Sequence, residues 1–329
     1  MHEEDSPGID AASLHASLPV VRFEFVVRQR DFLHLPDYAG SMLRGAFGAA
    51  LRRIACMTGA SECKGCPLLM NCSYPAIFET RVLQTNATVQ PVNAYVIEPP
   101  PHGAHDVAVD QDWCFHMVLA GRVLRQLPLI VFALQRACER GFGHAASRAE
   151  LHSVALCNGA LREPLQLSGG IAIDGLEWPP PEPVELRDGT AMRFTTPLRM
   201  QENGRILDSG EISASDILMS LARRVQNLID CHGEGGFRLP FSALAASAAR
   251  TSASASLQRY RWSRYSSRQK QEIDLSGLVG EVRLRGDLAP FAALLALGAL
   301  VHVGKGATFG LGRYELYSAC AVEVGASDA

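Results

Sequence analysis

Apolar and polar residues alternate along several short stretches of the chain and recur at helical spacing in others. Residues 19–27 (PVVRFEFVV) alternate over part of their length, as a strand buried on one face does. Residues 41–56 carry apolar side chains at helical spacing, and Ser41 is the favoured N-cap. Further strands are predicted over 91–98, 113–119 and 149–156, with an apolar-striped helix over 127–140. The first half therefore follows the order β-α-β-β-α-β.

The second half repeats this order. Its predicted strands lie at 191–200, 273–279, 281–285 and 314–322, and its predicted helices at 215–231 and 288–301. The segments ERGFGHAASRAELHSV and VGKGATFGLGRYELYSA each run helix, Gly-x-Gly, Arg, strand. Such a repeat predicts an α+β chain of tandem ferredoxin-like (RRM-like) domains.

The proline-rich segment at 179–183 marks the predicted boundary between the two domains. We expect a tail over 1–17 and an N-terminal domain over 18–178 with a cysteine-rich insertion at 56–80. The C-terminal domain is expected over 184–323, with a glycine-rich loop at 304–312.

Composition excludes several classes of protein. Of 329 residues, 47% are hydrophobic and 20% charged, which excludes a disordered chain, a collagen and a disulfide miniprotein. The net charge is −3, so nucleic-acid binding would depend on local patches. The longest uncharged stretch, residues 288–304, contains Pro290 and Gly298. It is shorter than the roughly 20 apolar residues of a membrane span, so it predicts a buried helix and no contact with a membrane. The acidic N-terminus and nine cysteines favour a cytoplasmic protein with reduced thiols.

The glycine-rich loop does not fit a nucleotide-binding motif. A dinucleotide fingerprint follows a strand and opens a helix, whereas this loop follows a helix and opens a strand; P-loop spacing is also absent. The favoured interpretation is a phosphate cradle in which backbone N–H groups act with Lys305, Thr308 and Arg313. The alternative is a tight turn. The glycines concerned are Gly304, Gly306, Gly310 and Gly312.

Residues 250–270 form the clearest local concentration of positive charge. Six basic residues and no acidic one lie there, interleaved with Tyr260, Trp262 and Tyr265. Arginine pairs with phosphates and aromatic rings stack on unpaired bases, so the segment is predicted to contact RNA. The alternative is a solvated face whose aromatic residues anchor the core. The six are Arg250, Arg259, Arg261, Arg264, Arg268 and Lys270.

Four cysteines fall close together in the spacing C-x6-C-x2-C-x5-C. Cys56, Cys63, Cys66 and Cys72 match the four thiolates of a structural zinc site, and an iron–sulfur cluster uses the same ligands. Four thiolates would close the coordination sphere, so no catalytic metal is expected. The alternative is four incidental thiols.

Three segments together resemble a known family. They are LPDYAGSMLRGAFGAALRRIAC (35–56), RYSSRQKQEIDLSGLVGEVRLRGDLAPF (264–291) and LVHVGKGATFGLGRYEL (300–316). The chain resembles the CRISPR-associated endoribonucleases that process precursor crRNA, in a cysteine-containing branch of the RAMP superfamily. The resemblance implies metal-independent cleavage within each repeat, leaving a 2′,3′-cyclic phosphate. It also implies CRISPR repeat RNA or crRNA as a partner, together with other CRISPR effector subunits.

The family places its key side chains on the first loop and helix, which here offer His34, Tyr38 and Arg44 for catalysis. The catalytic histidine often found on that helix has no counterpart at 41–56, so either His34 substitutes for it or Arg44 acts by electrostatic stabilisation. His302 and His144, beside the two glycine loops, are further candidates. The predicted RNA-binding residues are Arg52, Arg53, Arg261, Arg264, Arg268, Gly304, Lys305, Gly306, Thr308, Gly310, Gly312 and Arg313.

Two other functions fit the same sequence. The missing helix histidine is compatible with a RAMP subunit that holds crRNA without cutting it. The cysteine cluster is compatible with a metal-bearing scaffold or redox protein in which the basic segment is only surface.

Overall fold

The computed structural model describes residues 8–80, 89–101, 103–167, 170–173, 175–202, 204–266 and 271–317, with the side chains of 264–266 and 271–272 left outside that description. The helices are α1 Ala11–Ser17, α2 Gly40–Ala55, α3 Ser73–Ile77, α4 Leu127–Arg140, α5 Ala214–His232, α6 Phe241–Ala248 and α7 Ala292–Val301. The strands are β1 Val20–Gln29, β2 Leu33–Leu35, β3 Tyr95–Glu98, β4 His105–Val107, β5 Asp112–Ala120, β6 Ala149–Asn158, β7 Leu161–Leu165, β8 Ala191–Leu198, β9 Gln201–Glu202, β10 Arg205–Ile206, β11 Ser252–Tyr260, β12 Ser263–Ser266, β13 Gln271–Asp274, β14 Gly277–Arg285 and β15 Tyr314–Tyr317.

Two antiparallel sheets carry the fold. The N-terminal sheet has the order β3-β5-β1-β6-β7, and the C-terminal sheet has the order β11-β14-β8-β15. The β-α-β-β-α-β unit of each domain has four strands. Numbered along the chain, they lie in the sheet in the order second, third, first, fourth, and β7 extends the first sheet. The prediction of tandem ferredoxin-like domains is therefore confirmed.

Local sequence signals explain the regular elements. Alternate residues of β1 are buried, as the pattern predicted. Helix α4 has Pro128 in its first turn and ends at Gly141, whose φ of +92° stops the helix. Helix α5 begins with a capping box between Ser213 and Asp216.

The two ends of the first helical region differ from the predictions. Residues 11–17, expected within a solvated tail, form α1, because Asp10 accepts hydrogen bonds from the first turn and Leu14 is buried. Helix α2 begins at Gly40 with Ala39 as N-cap and no side-chain cap, so Ser41 is inside the helix. A Cβ at position 40 would collide with the carbonyl oxygen of Phe309, which explains the glycine.

The C-terminal sheet also differs from the prediction. The strands expected over 273–279 and 281–285 belong largely to one strand, β14, which bends at Gly280 where the pairing with β8 shifts register. The second strand of the unit is β11, which lies in the segment recognised only for its basic and aromatic residues. Small residues such as Ser and Ala dominate β11 and hide its strand character.

A buried carboxylate joins the two domains. Glu98 of β3 is 2% exposed and accepts hydrogen bonds from Arg22 Nε at 2.6 Å and His302 Nε2 at 3.1 Å. Arg313 Nε lies 3.9 Å away. Burial alone would raise the pKa of Glu98, but the His302 hydrogen bond and the charges of Arg22 and Arg313 outweigh it and lower the pKa to about 2. Buried apolar side chains from both domains form one continuous core around this contact.

Two helical glycines differ in their surroundings, so the same substitution should shift stability in opposite directions. No atom lies within 4 Å of a Cβ added at Gly45, so Gly45→Ala should raise the free energy of unfolding by about 1 kcal/mol through helix propensity. At Gly298 the new methyl would overlap the Tyr314 hydroxyl and lie 2.6 Å from Leu221. Gly298→Ala should therefore lower the free energy of unfolding by roughly 1–3 kcal/mol. Urea unfolding measures both, and shifts of the same sign would contradict the packing of α7.

Glu98 should make stability depend on acid. A carboxyl whose pKa is lowered by folding stabilises the folded protein fully at pH values above its ordinary pKa of 4.5. This stabilisation is lost as the pH falls towards the lowered pKa of about 2. That difference corresponds to about 3 kcal/mol. Urea unfolding should therefore show wild-type stability declining from about pH 5 downward. Glu98→Gln should be less stable at neutral pH and decline less, whereas the exposed Glu315→Gln should follow the wild type. Equal pH slopes for wild type and Glu98→Gln would contradict an ionised Glu98.

Candidate functional site

Three segments that the sequence singled out separately meet around Tyr38. This side chain is 3% exposed, its hydroxyl donates to the carbonyl oxygen of Phe309 at 2.8 Å, and its ring centroid lies 4.6 Å from that of Trp262. Beside it, the Tyr260 hydroxyl donates to Asp37. The first loop, the glycine-rich loop and the basic segment therefore form one surface at the domain junction, called the junction surface below. Burial raises the pKa of Tyr38 far above its usual value, so this hydroxyl stays protonated.

His34 lies four residues before Tyr38 and is exposed. Strands β2 and β4 pair so that His34 stands opposite Asp106, and His34 Nδ1 is 2.7 Å from Asp106 Oδ1. With Nδ1–H donating to the carboxylate, Nε2 carries the lone pair and can accept a proton. The neighbouring His105 instead lies 2.9 Å from the Gly103 carbonyl oxygen through its own Nδ1. His34 is thus the histidine of this strand pair that has a carboxylate partner.

Arg44 projects from α2 between two aromatic rings. Its guanidinium carbon lies 4.3 Å from the ring centroid of Phe78 and 4.8 Å from that of Phe309. The Nε atom of Arg44 and the hydroxyl of Tyr95 are buried without a hydrogen-bond partner among the described residues. Burial raises the pKa of Tyr95 to about 12, opposed by the Arg44 charge. The two rings hold the guanidinium in place through cation–π contacts.

The glycines of the glycine-rich loop are required by close approach. All four have positive φ, and a Cβ at Gly310 would lie 2.5 Å from the Ile97 carbonyl oxygen and 2.8 Å from the Tyr38 hydroxyl. The N–H groups of Lys305, Gly310 and Gly312 donate to the carbonyls of Arg199, Ala307 and Pro197 at 2.9, 2.8 and 3.0 Å. The Gly310 bond closes a turn within the loop, whereas the other two attach the loop to β8 and to the residue that follows it, so these three donors are already used within the protein. The exposed Lys305 side chain and the half-buried Thr308 remain for a ligand.

The remaining predicted RNA-binding arginines are in different environments. Arg52 Nη2 donates to the carbonyls of Ala60 and Ser61, each at 2.6 Å, and so holds the cysteine segment. Arg313 turns towards Glu98 and Glu315, each 3.9 Å away. Arg53 and Arg261 are exposed, whereas the Arg264 side chain and all of Arg268 lie outside the described residues. Gly304 and Gly306 complete the loop, and a Cβ on them would approach Arg199 and Leu311.

The two further histidine candidates differ in their exposure to solvent. His302 is fully buried and its ring contacts Glu98 and the Leu311 carbonyl, so it cannot reach a bound ligand without rearrangement. His144 is exposed in the turn after α4. Trp262 and Tyr260 act as anchors between the domains, which is the alternative considered for the aromatic residues of the basic segment.

The four clustered cysteines line one cavity of about 350 Å³ beside the end of α2. Among the described residues, no three His, Cys, Asp or Glu side chains are already grouped closely enough to hold a metal ion. The donor set is right for zinc or an iron–sulfur cluster, and its arrangement is more open than in a loaded site.

Sequence reasoning missed four residues of the junction surface and its support: Asp106, Phe78, Phe309 and Glu98. Asp106 pairs with His34 across 72 residues of sequence, and no local pattern reports such pairing. Glu98 ends an otherwise apolar strand, YVIE, and a carboxylate in a fully buried strand was the available signal.

Similarity to known proteins agrees with this architecture. Residues 18–169 match the family AF_1859_N, described as an N-terminal domain, and residues 192–314 match the family described as CRISPR-associated endoribonuclease Cas6. A protein of Archaeoglobus fulgidus is 30% identical over 121 residues, which are 37% of this chain and 41% of that protein. The chain thus matches less than half the length of that relative. No helix in the described part of the chain is long and apolar enough to cross a membrane.

Solved structures share the fold along nearly the whole chain. A Cas6 product complex superposes with a TM-score of 0.55 at 16% identity, covering 91% of this chain and 100% of that one. Thermus thermophilus Cas6 gives 0.51 at 16% identity, covering 92% and 100%. A partial Cas6-RT-Cas1–Cas2 complex gives 0.54 at 13% identity, covering 93% of this chain and 47% of that one. Residues 192–314 thus match the Cas6 family, and solved Cas6 structures share the fold of nearly the whole chain.

Proposed function

We propose that this protein binds CRISPR repeat RNA at the junction surface and cuts precursor crRNA within each repeat. The observation that carries the proposal is the exposed His34–Asp106 pair, four residues before the loop position that Tyr38 anchors to Phe309 and Trp262. An exposed histidine that a carboxylate orients is a group suited to proton transfer with RNA. The Cas6 domain match supports the same substrate class.

The proposed reaction uses the RNA's own 2′-hydroxyl. His34 Nε2 takes the hydroxyl proton while the 2′-oxygen attacks the adjacent phosphorus, and the bond to the 5′-oxygen breaks. The leaving 5′-oxygen takes a proton from water, and the proton that His34 has gained is then returned to the hydroxide left behind, so the products are a 2′,3′-cyclic phosphate and a 5′-hydroxyl. Asp106 holds the imidazole orientation and stabilises the positive charge that His34 gains.

The reaction also requires stabilisation of the negatively charged phosphorane, which positively charged side chains can provide. Arg44 is held between Phe78 and Phe309, and Lys305 is exposed on the glycine-rich loop. Donors fixed in advance stabilise developing charge more effectively than mobile ones. The base and the stabilising cations can come from this chain and the leaving-group proton from water, so we propose that cleavage needs no metal.

Tyr38 has a different proposed part from the one the sequence favoured. Its hydroxyl donates to a backbone carbonyl and its ring packs on Trp262. We therefore assign it to positioning the first loop, with Arg44 and His34 nearer the reaction. The occurrence of a similar fold within a Cas6-RT-Cas1–Cas2 assembly supports other CRISPR subunits as further partners, in the cytoplasm where the RNA is found.

A non-cleaving RAMP subunit is the second candidate function. Two observations favour it: helix α2 carries no histidine, and the nearby Tyr38 hydroxyl already donates to the Phe309 carbonyl. Such a protein would bind the repeat at the same surface and leave it intact.

Single-turnover cleavage of a labelled repeat hairpin in excess EDTA tests the chemistry. His34→Ala should lower the rate roughly 100- to 10,000-fold, since it removes the general base. The cleavage rate of Asp106→Asn should lie between the rates of His34→Ala and wild type. His105→Ala is the matched control from the same strand pair: among the described residues its ring has no carboxylate partner and faces the Gly103 carbonyl, so this variant should cut nearly as wild type does.

The same assay separates the alternatives. If Arg44→Ala alone is crippled while His34→Ala cuts normally, electrostatic stabilisation without a histidine base is the mechanism. Tight binding without any cleavage by wild type would establish the non-cleaving RAMP function. A requirement for added divalent metal would contradict metal independence.

Repeat affinity should depend on the exposed cations of the junction surface. Lys305→Ala and Arg261→Ala should each weaken binding and reduce the slope of log affinity against log salt by about 1, because each removes one phosphate contact. Arg136→Ala, exposed on α4 and paired with Glu139, is the control and should leave both quantities unchanged. Filter binding across a salt series measures them, and an equal loss in all three variants would place the RNA elsewhere.

A further inference from the structure

The cysteine segment 56–72 has almost no core of its own. None of its seventeen residues is buried, and its regular structure is one short 3₁₀ turn at Leu69–Asn71. Met57 and Met70 are exposed at 88% and 73%. A segment that buries so little apolar surface cannot offset its conformational entropy by packing, and small units of this kind are usually held by a metal or by disulfides.

The four cysteines are the feature that gathers this segment. Each is half-buried, and all four line the cavity of about 350 Å³ between the segment, the end of α2 and the start of α3. Lys64, between Cys63 and Cys66, is exposed. All four thiol-bearing residues therefore border one space, which other residues of the segment, such as Thr58 and Glu62, also line.

Local contacts place two of the thiols around one hydroxyl. The Thr58 hydroxyl lies 3.8 Å from Cys56 Sγ and 3.6 Å from Cys66 Sγ. The Cys66 N–H donates to the Cys63 carbonyl at 3.1 Å, and Gly65, with φ +80°, allows this tight turn. Cys72 Sγ approaches the Ala55 carbonyl at 3.6 Å, at the end of α2. The turn at Cys63–Cys66, the end of α2 and the start of α3 thus surround the cavity.

We propose that Cys56, Cys63, Cys66 and Cys72 hold one thiolate-ligated metal centre, zinc or an iron–sulfur cluster, in this cavity. Each thiol loses its proton as it binds, so four protons are released. No three ligands are yet grouped in the described part of the chain, and segment 56–72 can contract around the centre because no buried side chain fixes it. Arg52, bound to the Ala60 and Ser61 carbonyls, places a positive charge beside the resulting anionic site.

The centre has a structural consequence for the junction surface. Cys72 immediately precedes α3, and Phe78, at the C-terminal end of α3, packs against the Arg44 guanidinium. Closing the cysteine segment would fix α3 and hence one of the two rings that hold Arg44. This inference concerns the metal alone and stands whether or not the protein cuts RNA.

Metal analysis of the full-length protein tests the proposal. Wild type purified without chelators should contain about one zinc per chain, or iron with matching acid-labile sulfide, measured by elemental analysis. Cys63→Ser with Cys66→Ser should reduce that content to less than about a tenth, whereas Cys157→Ser, a half-buried cysteine of β6 outside the cavity, should retain it. Far-ultraviolet circular dichroism checks that each variant folds.

A second measurement covers the case in which the double variant does not fold. Wild type stripped of metal and titrated with Co²⁺ alone should develop near-ultraviolet thiolate-to-cobalt absorption that saturates at one equivalent. Four reactive or disulfide-bonded cysteines in metal-free wild type, with no cobalt absorption, would overturn the proposal. Full metal retention in the folded double variant would overturn it as well.

Discussion

The contact between the glycine-rich loop and the start of α2 is the constraint on which the rest of the junction depends. Helix α2 can begin where it does only because Gly40 leaves room for the Phe309 carbonyl, which then accepts the Tyr38 hydroxyl. The Phe309 ring, in turn, packs against the Arg44 guanidinium. One backbone carbonyl and one ring of the C-terminal domain thus set the start of a helix, a buried tyrosine and a cation in the N-terminal domain.

The Glu98 network supports this contact from beneath. Glu98 ends β3, His302 follows α7, and Arg313 precedes β15, so a single carboxylate holds the two chain segments that flank the glycine-rich loop. Buried charge of this kind is stable only when every partner is present, because an isolated carboxylate in a core loses its solvation without compensation. The loop is consequently held at both of its ends and at Phe309 in its middle.

Periodicity in the sequence was sufficient for the fold class and for most of its helices and strands. The β1 alternation and the stripe of α4 report burial directly, so most elements of the first domain could be predicted. Strand β11 could not, because its serines and alanines carry little strand preference and its burial depends on β14. The pairing of His34 with Asp106 was also out of reach, since strand register between β2 and β4 follows from tertiary packing. The glycines were recognised as special, but their neighbours across the domain junction determine why.

The position of Glu98 has a consequence for how this chain can evolve. Ferredoxin-like domains are often described as interchangeable units, and tandem copies invite the idea of exchange by recombination. Here an exchanged C-terminal half without a histidine at 302 and an arginine at 313 would leave the carboxylate of the other half buried with fewer partners. Substitutions at 22, 98, 302 and 313 should therefore be inherited together, and the two halves should share one lineage.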